Sequence, residues 1–295
     1  MYMSGFKTLY MTYRITQYIQ PWELDDFERQ VHAMILSSYH IDKTDIIIWD
    51  VTLNISDQLI DWDNSSMPKQ FVLNKFEYLN KLVNQYFIAE FDTDELIQGC
   101  TDKRRVCCTK KQDFIIWLDS DVYFSYLTLP FLVMASKQIT DPYFIVSPQI
   151  IKWWDSTWDC IVHEPFLTKP YDYRDTFDVY SINQLIHIDQ IAIKLNPAMK
   201  FGGGWFTLFS NSIFEKISLP DELGSYASDD TYIMSCSAKY EIPQYLVSGI
   251  FVTEHGKRYT DGKNYFKDMF SIKIKTRNRI SDELFQSLII KYYQS

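Results

Sequence analysis

The run Phe114-Ile115-Ile116-Trp117-Leu118 ends abruptly in Asp119-Ser120-Asp121. Five apolar residues in succession read as a strand buried on both faces, the kind found in parallel sheets covered by helices. Such a strand carries two carboxylates to the rim of the sheet, where a desolvated anion is costly without a cation. A hard divalent ion, Mn2+ or Mg2+, suits carboxylate oxygens and keeps positions open for water and substrate phosphates. The plain alternative is a strand-end turn with solvated aspartates.

Two other Asp-x-Asp triplets compete, Asp61/Asp63 and Asp92/Asp94. The first is followed by Asn and Ser in turn chemistry, and the second precedes Glu95-Leu96-Ile97 as capping residues do. Only Asp119 and Asp121 follow an apolar run. Around them the pattern alternates between strand and helix. Residues 6–14 read as a first strand, 24–37 as a helix opening in an acidic cluster, 46–50 as a buried strand, and 71–87 as a helix. Downstream, residues 143–147 and 245–253 read as strands, 211–217 as a helix, and a further helix begins near Ser228. The economical architecture is α/β: a mainly parallel central sheet with flanking helices and a ligand crevice at the strand carboxyl ends.

The 295 residues carry a net charge of -9, which argues against a protein that coats nucleic acid with its whole surface. Residues 257–279 are the exception, with eight basic and two acidic side chains. Within them Ile272-Lys273-Ile274-Lys275-Thr276-Arg277-Asn278-Arg279 alternates with period two. Four cations on one face read as a charge-guarded edge strand or as a phosphate contact. Aromatic residues reach 17%, enough rings to fill pockets or stack on ligands. Five cysteines without regular spacing do not form a disulfide or zinc pattern. The vicinal Cys107-Cys108 among lysines and arginines would suit a reactive thiolate. No stretch is apolar for long enough to span a bilayer, and the start of the chain lacks a signal core, so a soluble, cytoplasmic protein is expected.

Three further segments carry candidate chemistry. Gly202-Gly203-Gly204 before Trp205-Phe206 permits close backbone approach, or is simply a tight turn before a strand. Asp229-Asp230 falls in a first helical turn, where carboxylates complement the dipole in any case. Glu254-His255-Gly256-Lys257-Arg258 joins a histidine to two cations able to contact phosphate, with His163 beside Glu164 as the rival histidine.

The order of strand-DSD, glycine-aromatic turn, acidic pair opening a helix, and histidine after a later strand resembles the GT-A glycosyltransferases over roughly residues 110–258. The resemblance implies a GT-A (Rossmann-like) domain over 1–258, with a nucleotide-binding half at 1–121 and an acceptor half at 122–258. Residues 259–295 would be a basic extension packing on the core. It implies Asp121 as a direct metal ligand, Asp119 on the ribose or a metal-bound water, and His255 as another ligand. Lys257 and Arg258 would bind the diphosphate, and Gly203, Gly204 and Trp205 would line the donor sugar and acceptor. Asp230 would be the general base with Asp229 orienting it. The implied reaction is an inverting transfer from a nucleoside-diphosphate sugar, most commonly a UDP-sugar, to a hydroxyl acceptor. Some viral enzymes of this type glycosylate modified bases in DNA, so a hydroxymethylated base stands beside a glycan as acceptor. Two alternatives remain open: a metal-dependent nucleotidyl- or phosphoryl-transfer enzyme, and a non-catalytic sugar- or nucleic-acid-binding module.

Overall fold

Apolar residues alternating between two faces of a sheet, joined by helices that bury one stripe each, account for the observed order of elements. The computed structural model describes residues 10–96, 99–151, 167–168, 186, 188–195, 204–224, 229–254, 269–273 and 287. In chain order these form β1 (Thr12–Ile19), α1 (Leu24–Ser37), β2 (Ile46–Asn54), β3 (Ile60–Asp61), α2 (Lys69–Val83), β4 (Ile88–Asp94), α3 (Cys100–Cys108), β5 (Phe114–Trp117), β6 (Val122–Phe124) and α4 (Thr128–Gln138). There follow β7 (Ile145–Ile151), β8 (Leu167–Thr168), β9 (Ala192–Leu195), β10 (Thr207–Ser210), α5 (Ile213–Lys216), α6 (Asp229–Lys239), β11 (Gln244–Glu254) and β12 (Ser271–Ile272).

The main sheet runs β4-β2-β1-β5-β10-β7-β11-β6. Strands β4, β2, β1 and β5 are parallel neighbours, and β7 is parallel to β11. The sheet is nevertheless mixed, because β10 lies antiparallel between β5 and β7, while β6 and β9 run antiparallel to β11. All four residues of β5 are buried, and they divide between two cores. Ile116 packs with the large cluster that includes Phe27 of α1, Val72 of α2 and Leu132 of α4. Ile115 and Trp117 join Ile213 of α5 and Ile233 of α6 on the opposite face. This double burial is why the strand reads as an unbroken apolar run.

Two elements depart from the sequence expectation, and one helix forms where the pattern assigned no element. The first strand is Thr12–Ile19, not residues 6–14, of which 6–9 lie outside the described residues. Two of its polar members are buried with partners, Arg14 on Asp50 and Gln17 on Gln30, so its hydrophobic pattern is masked. Asp92 and Asp94 close a strand, β4, instead of capping a helix; Asp94 accepts from the Leu96 amide and from Tyr18 Oη. The polar stretch around Lys103 is helix α3. Near the far end of the chain, β12 pairs antiparallel with β3, and Phe270 sets its ring edge-on between Trp22 and Trp62, at 6.2 and 5.8 Å. Among the described residues no helix is long and apolar enough to cross a membrane.

Candidate functional site

The Asp119-Ser120-Asp121 turn follows β5 directly and is fixed by the segment on its α1 side. Gln30 Nε2 donates to the carbonyls of Asp119 and Val122, both at 2.8 Å. Gln30 is held in turn by Gln17, whose side-chain oxygen accepts from Trp49 Nε1. Ser120 Oγ donates to Glu23 Oε2 at 2.7 Å, and the same oxygen accepts the Gln20 amide. A buried network satisfied in this way is rigid. Ser120 is thereby pulled inward, and the two aspartates flank a turn whose backbone is fastened from behind.

Arg104 closes the site from the other face. Its side chain is only 6% exposed. Nη2 donates to Asp119 Oδ1 at 2.6 Å and Nη1 to Asp229 Oδ2 at 2.8 Å, and the guanidinium lies 4.6 Å from the Trp117 ring centroid. Nη2 also approaches the Gly204 carbonyl at 3.4 Å. A Cβ on Gly204 would stand 2.3 Å from Nη2, so this glycine is required by the passage of the arginine and not by a left-handed backbone. The strained backbone position lies two residues on: Phe206 has φ 134° and is held there by complete burial and an edge-on contact with Phe124.

Helix α3 is anchored on both sides of Arg104. Arg105 donates to the carbonyls of Leu219, Pro220 and Gly224. Lys103, Lys110 and Arg14 converge on the buried Asp50 of β2. Burial opposes ionisation of Asp50, yet Lys103 and Lys110 outweigh it and hold the carboxyl at about 2.

The charge balance at Arg104 is the reverse. One buried guanidinium faces Asp119 and Asp229 directly, with Asp121 and Asp230 close enough to act on Asp119. Burial raises Asp119, Arg104 lowers it, and Asp121, Asp229 and Asp230 raise it again, leaving it at about 7. Asp230 is likewise raised, by burial first and then by Asp229. Four carboxylates around one positive charge form a site that a further cation would complete. Among the described residues no three His, Cys, Asp or Glu side chains converge tightly enough to hold a metal by themselves. Asp119 and Asp121 could therefore contribute to a cation site whose remaining ligands come from elsewhere.

The structure brings together Asp119, Asp121, Gly204, Asp229 and Asp230. Asp229 and Asp230 open α6 as expected, with Asp230 Oδ1 accepting the Thr231 amide at 2.7 Å. Trp205 is half-buried and packs against the large core. Gly203, His255, Lys257, Arg258 and the rival His163 lie outside the described residues. Of the basic run at 272–279, Lys273 is described; its amide donates to the Leu59 carbonyl and its Nζ to that of Asp57. The reactive-thiolate reading of Cys107-Cys108 does not hold. Burial pushes Cys107 up to about 11 and Cys108 well above the ordinary thiol range, the opposite of activation. Arg104, Gln30 and Glu23 had not been singled out. The sequence carries no mark of Arg104; its place in the buried stripe Thr101-Arg104-Cys107, spaced by three along α3, is visible in the folded chain.

No protein-family model matches the sequence, and no curated protein matches it. Similar solved structures exist. GalNAc-T7 with UDP, GalNAc and Mn2+ superposes with a TM-score of 0.52 at 14% identity, covering 88% of this chain and 47% of that one. S. aureus TarS 1-349 gives 0.49 at 11% identity, covering 96% and 71%. The mannosyltransferase PcManGT from Pyrobaculum calidifontis, with GDP-Man and Mn2+, gives 0.48 at 11%, covering 84% and 57%. The chain thus spans about half the length of the GalNAc-T7 chain, and that likeness establishes the fold they share.

Three outcomes follow for the isolated protein. Arg104→Met strands Asp229, which is 2% exposed, and should cost about 3–5 kcal/mol in chemical denaturation. Gly204→Ala, by crowding the same guanidinium, should cost about 1–3 kcal/mol. Asp119 has a folded-state pKa above its ordinary 3.8, so the native state takes up a proton that the unfolded chain lacks. Its contribution to stability should therefore fall as pH rises from about 4 to about 7. Denaturation midpoints measured in chelator across that window should show the slope, and Asp119→Asn should flatten it.

Proposed function

We propose that this GT-A fold serves a metal-dependent glycosyltransferase, which moves a sugar from a nucleoside-diphosphate donor to an acceptor hydroxyl with inversion at the anomeric carbon. The observation that carries the proposal is the excess of carboxylates around Arg104 beyond the carboxyl end of β5, where Asp119 is raised to about 7. GalNAc-T7, which shares the fold, was solved with UDP, GalNAc and Mn2+, and this supports a UDP-sugar as donor.

In this reading Asp121 and Asp119 hold Mn2+ or Mg2+ together with His255, and Asp119 also serves the ribose or a metal-bound water. Bound there, the cation supplies charge to stabilise the departing diphosphate. Lys257 and Arg258 contact the same diphosphate. Gly203, Gly204 and Trp205 line the donor sugar and the acceptor. A sugar hydroxyl is a poor nucleophile until its proton is accepted, and Asp230 takes that proton. Burial and the neighbouring Asp229 raise the proton affinity of Asp230, the direction that makes a carboxylate a stronger base. Asp229, paired to Arg104 at 2.8 Å, keeps the pair oriented. The acceptor hydroxyl belongs to a glycan or to a hydroxymethylated base of viral DNA; the second would draw on the basic residues 273–279.

Thermal denaturation with UDP and Mn2+ tests the reading, because a ligand at about 100 times its Kd stabilises the native state by about 2.7 kcal/mol. The wild-type chain should gain stability from the two together and release UDP from a UDP-sugar in an Mn2+-dependent manner. Asp121→Ala should lose both. The reading is wrong if that variant keeps the Mn2+-dependent gain and turnover.

A further inference from the structure

We infer that Arg104 is a positioning residue that couples occupation of the cation site to the helix bearing the proposed base. The inference rests on the reading of Asp119 and Asp121 as cation ligands. Arg104 reaches two carboxylates carried by separate elements, Asp119 after β5 and Asp229 at the start of α6, with one guanidinium nitrogen on each. The two acidic residues are far apart in sequence, and within the Arg104 network the guanidinium is what ties the DSD turn to α6.

The guanidinium has little freedom to swing away. It lies on the Trp117 ring at 4.6 Å, Gly204 leaves no space beside Nη2, and the side chain is 6% exposed. A divalent cation that engages Asp119 competes with Nη2 for that carboxylate and repels the positive charge. The arginine then leans on Asp229, which is 2% exposed and cannot retreat into solvent. The Asp229–Arg104 pairing strengthens, and the first turn of α6, with Asp230 next in sequence, tightens. Linkage makes the effect reciprocal: a firm α6 favours cation binding to the same degree. The side chain therefore acts through Asp229 and does not itself touch the reacting groups.

Hydrogen exchange followed by mass spectrometry on the full chain reads this out, comparing the free protein with the protein saturated in UDP and Mn2+. In the wild type, exchange across α6 should slow about fivefold or more on binding. Arg104→Lys keeps the charge but loses the planar fork that spans two carboxylates, and Asp229→Asn keeps the shape but removes the negative charge that draws the guanidinium. In both, binding of UDP and Mn2+ should persist and the ligand-induced slowing at α6 should vanish. A merely structural arginine would change α6 equally with and without ligand, and would leave the ligand-induced difference intact. The inference is overturned if the wild type binds without slowing at α6, or if either variant retains the slowing. Absence of any UDP and Mn2+ binding to the wild type would instead remove the functional reading on which the inference stands.

Discussion

A guanidinium buried to 6% exposure and paired with Asp119 and Asp229 sets the conditions for everything around it. A charge so far from water is tolerated only when it is paired, and Arg104 is paired with two carboxylates and also approaches the Gly204 carbonyl. The rest of the site can be read as the means of keeping that arrangement. Arg105 fastens one side of α3 to the loop preceding α6, and Lys103 fastens the other to Asp50. Gly204 lets the turn before β10 come close, and Trp117 presents a ring face below the cation.

Two charge clusters on the same helix illustrate how balance decides role. At Asp50 three cations meet two carboxylates, Asp50 and Glu90, and the pKa of Asp50 falls to about 2 despite burial. At Arg104 the proportions invert, and Asp119 rises to about 7. In the first cluster every carboxylate is met by more than one cation, which gives it the character of an anchor. The second carries surplus negative charge at the mouth of the sheet, where strands in α/β folds present their ligands.

The features most legible in the sequence were those written in periodicity. The apolar run before Asp119 announced a doubly buried strand, and residues 24–37 and 229 onward announced helices that form there. What stayed hidden was polar and buried. Arg14 and Gln17 interrupt β1 and conceal it, because their partners Asp50 and Gln30 come from other elements. Arg104 was hidden for the same reason: among neighbouring cations it reads as solvated, and only the juxtaposition of Asp119 with Asp229 shows otherwise. Periodicity reports burial by apolar surface and is blind to burial by charge pairing. The antiparallel sense of β10 was equally unreadable, since a four-residue strand carries no mark of its direction.

That strand also governs the order in which the molecule can be made. Strand β5 has β1 on one side and β10 on the other, and Gly204, at the turn leading into β10, meets an arginine 100 positions earlier in the chain. Asp229 lies further still, 125 positions from Arg104. Contacts of such separation form late, after the loop-closure entropy of the intervening chain has been overcome. During synthesis the DSD turn therefore exists for some time with neither its glycine neighbour nor its carboxylate pair. A nascent chain exposes an arginine and two aspartates without the surroundings that pair and bury them. The gathering of four aspartates about one arginine arrives with closure of the sheet, which makes this charge arrangement a signature of finished polypeptide.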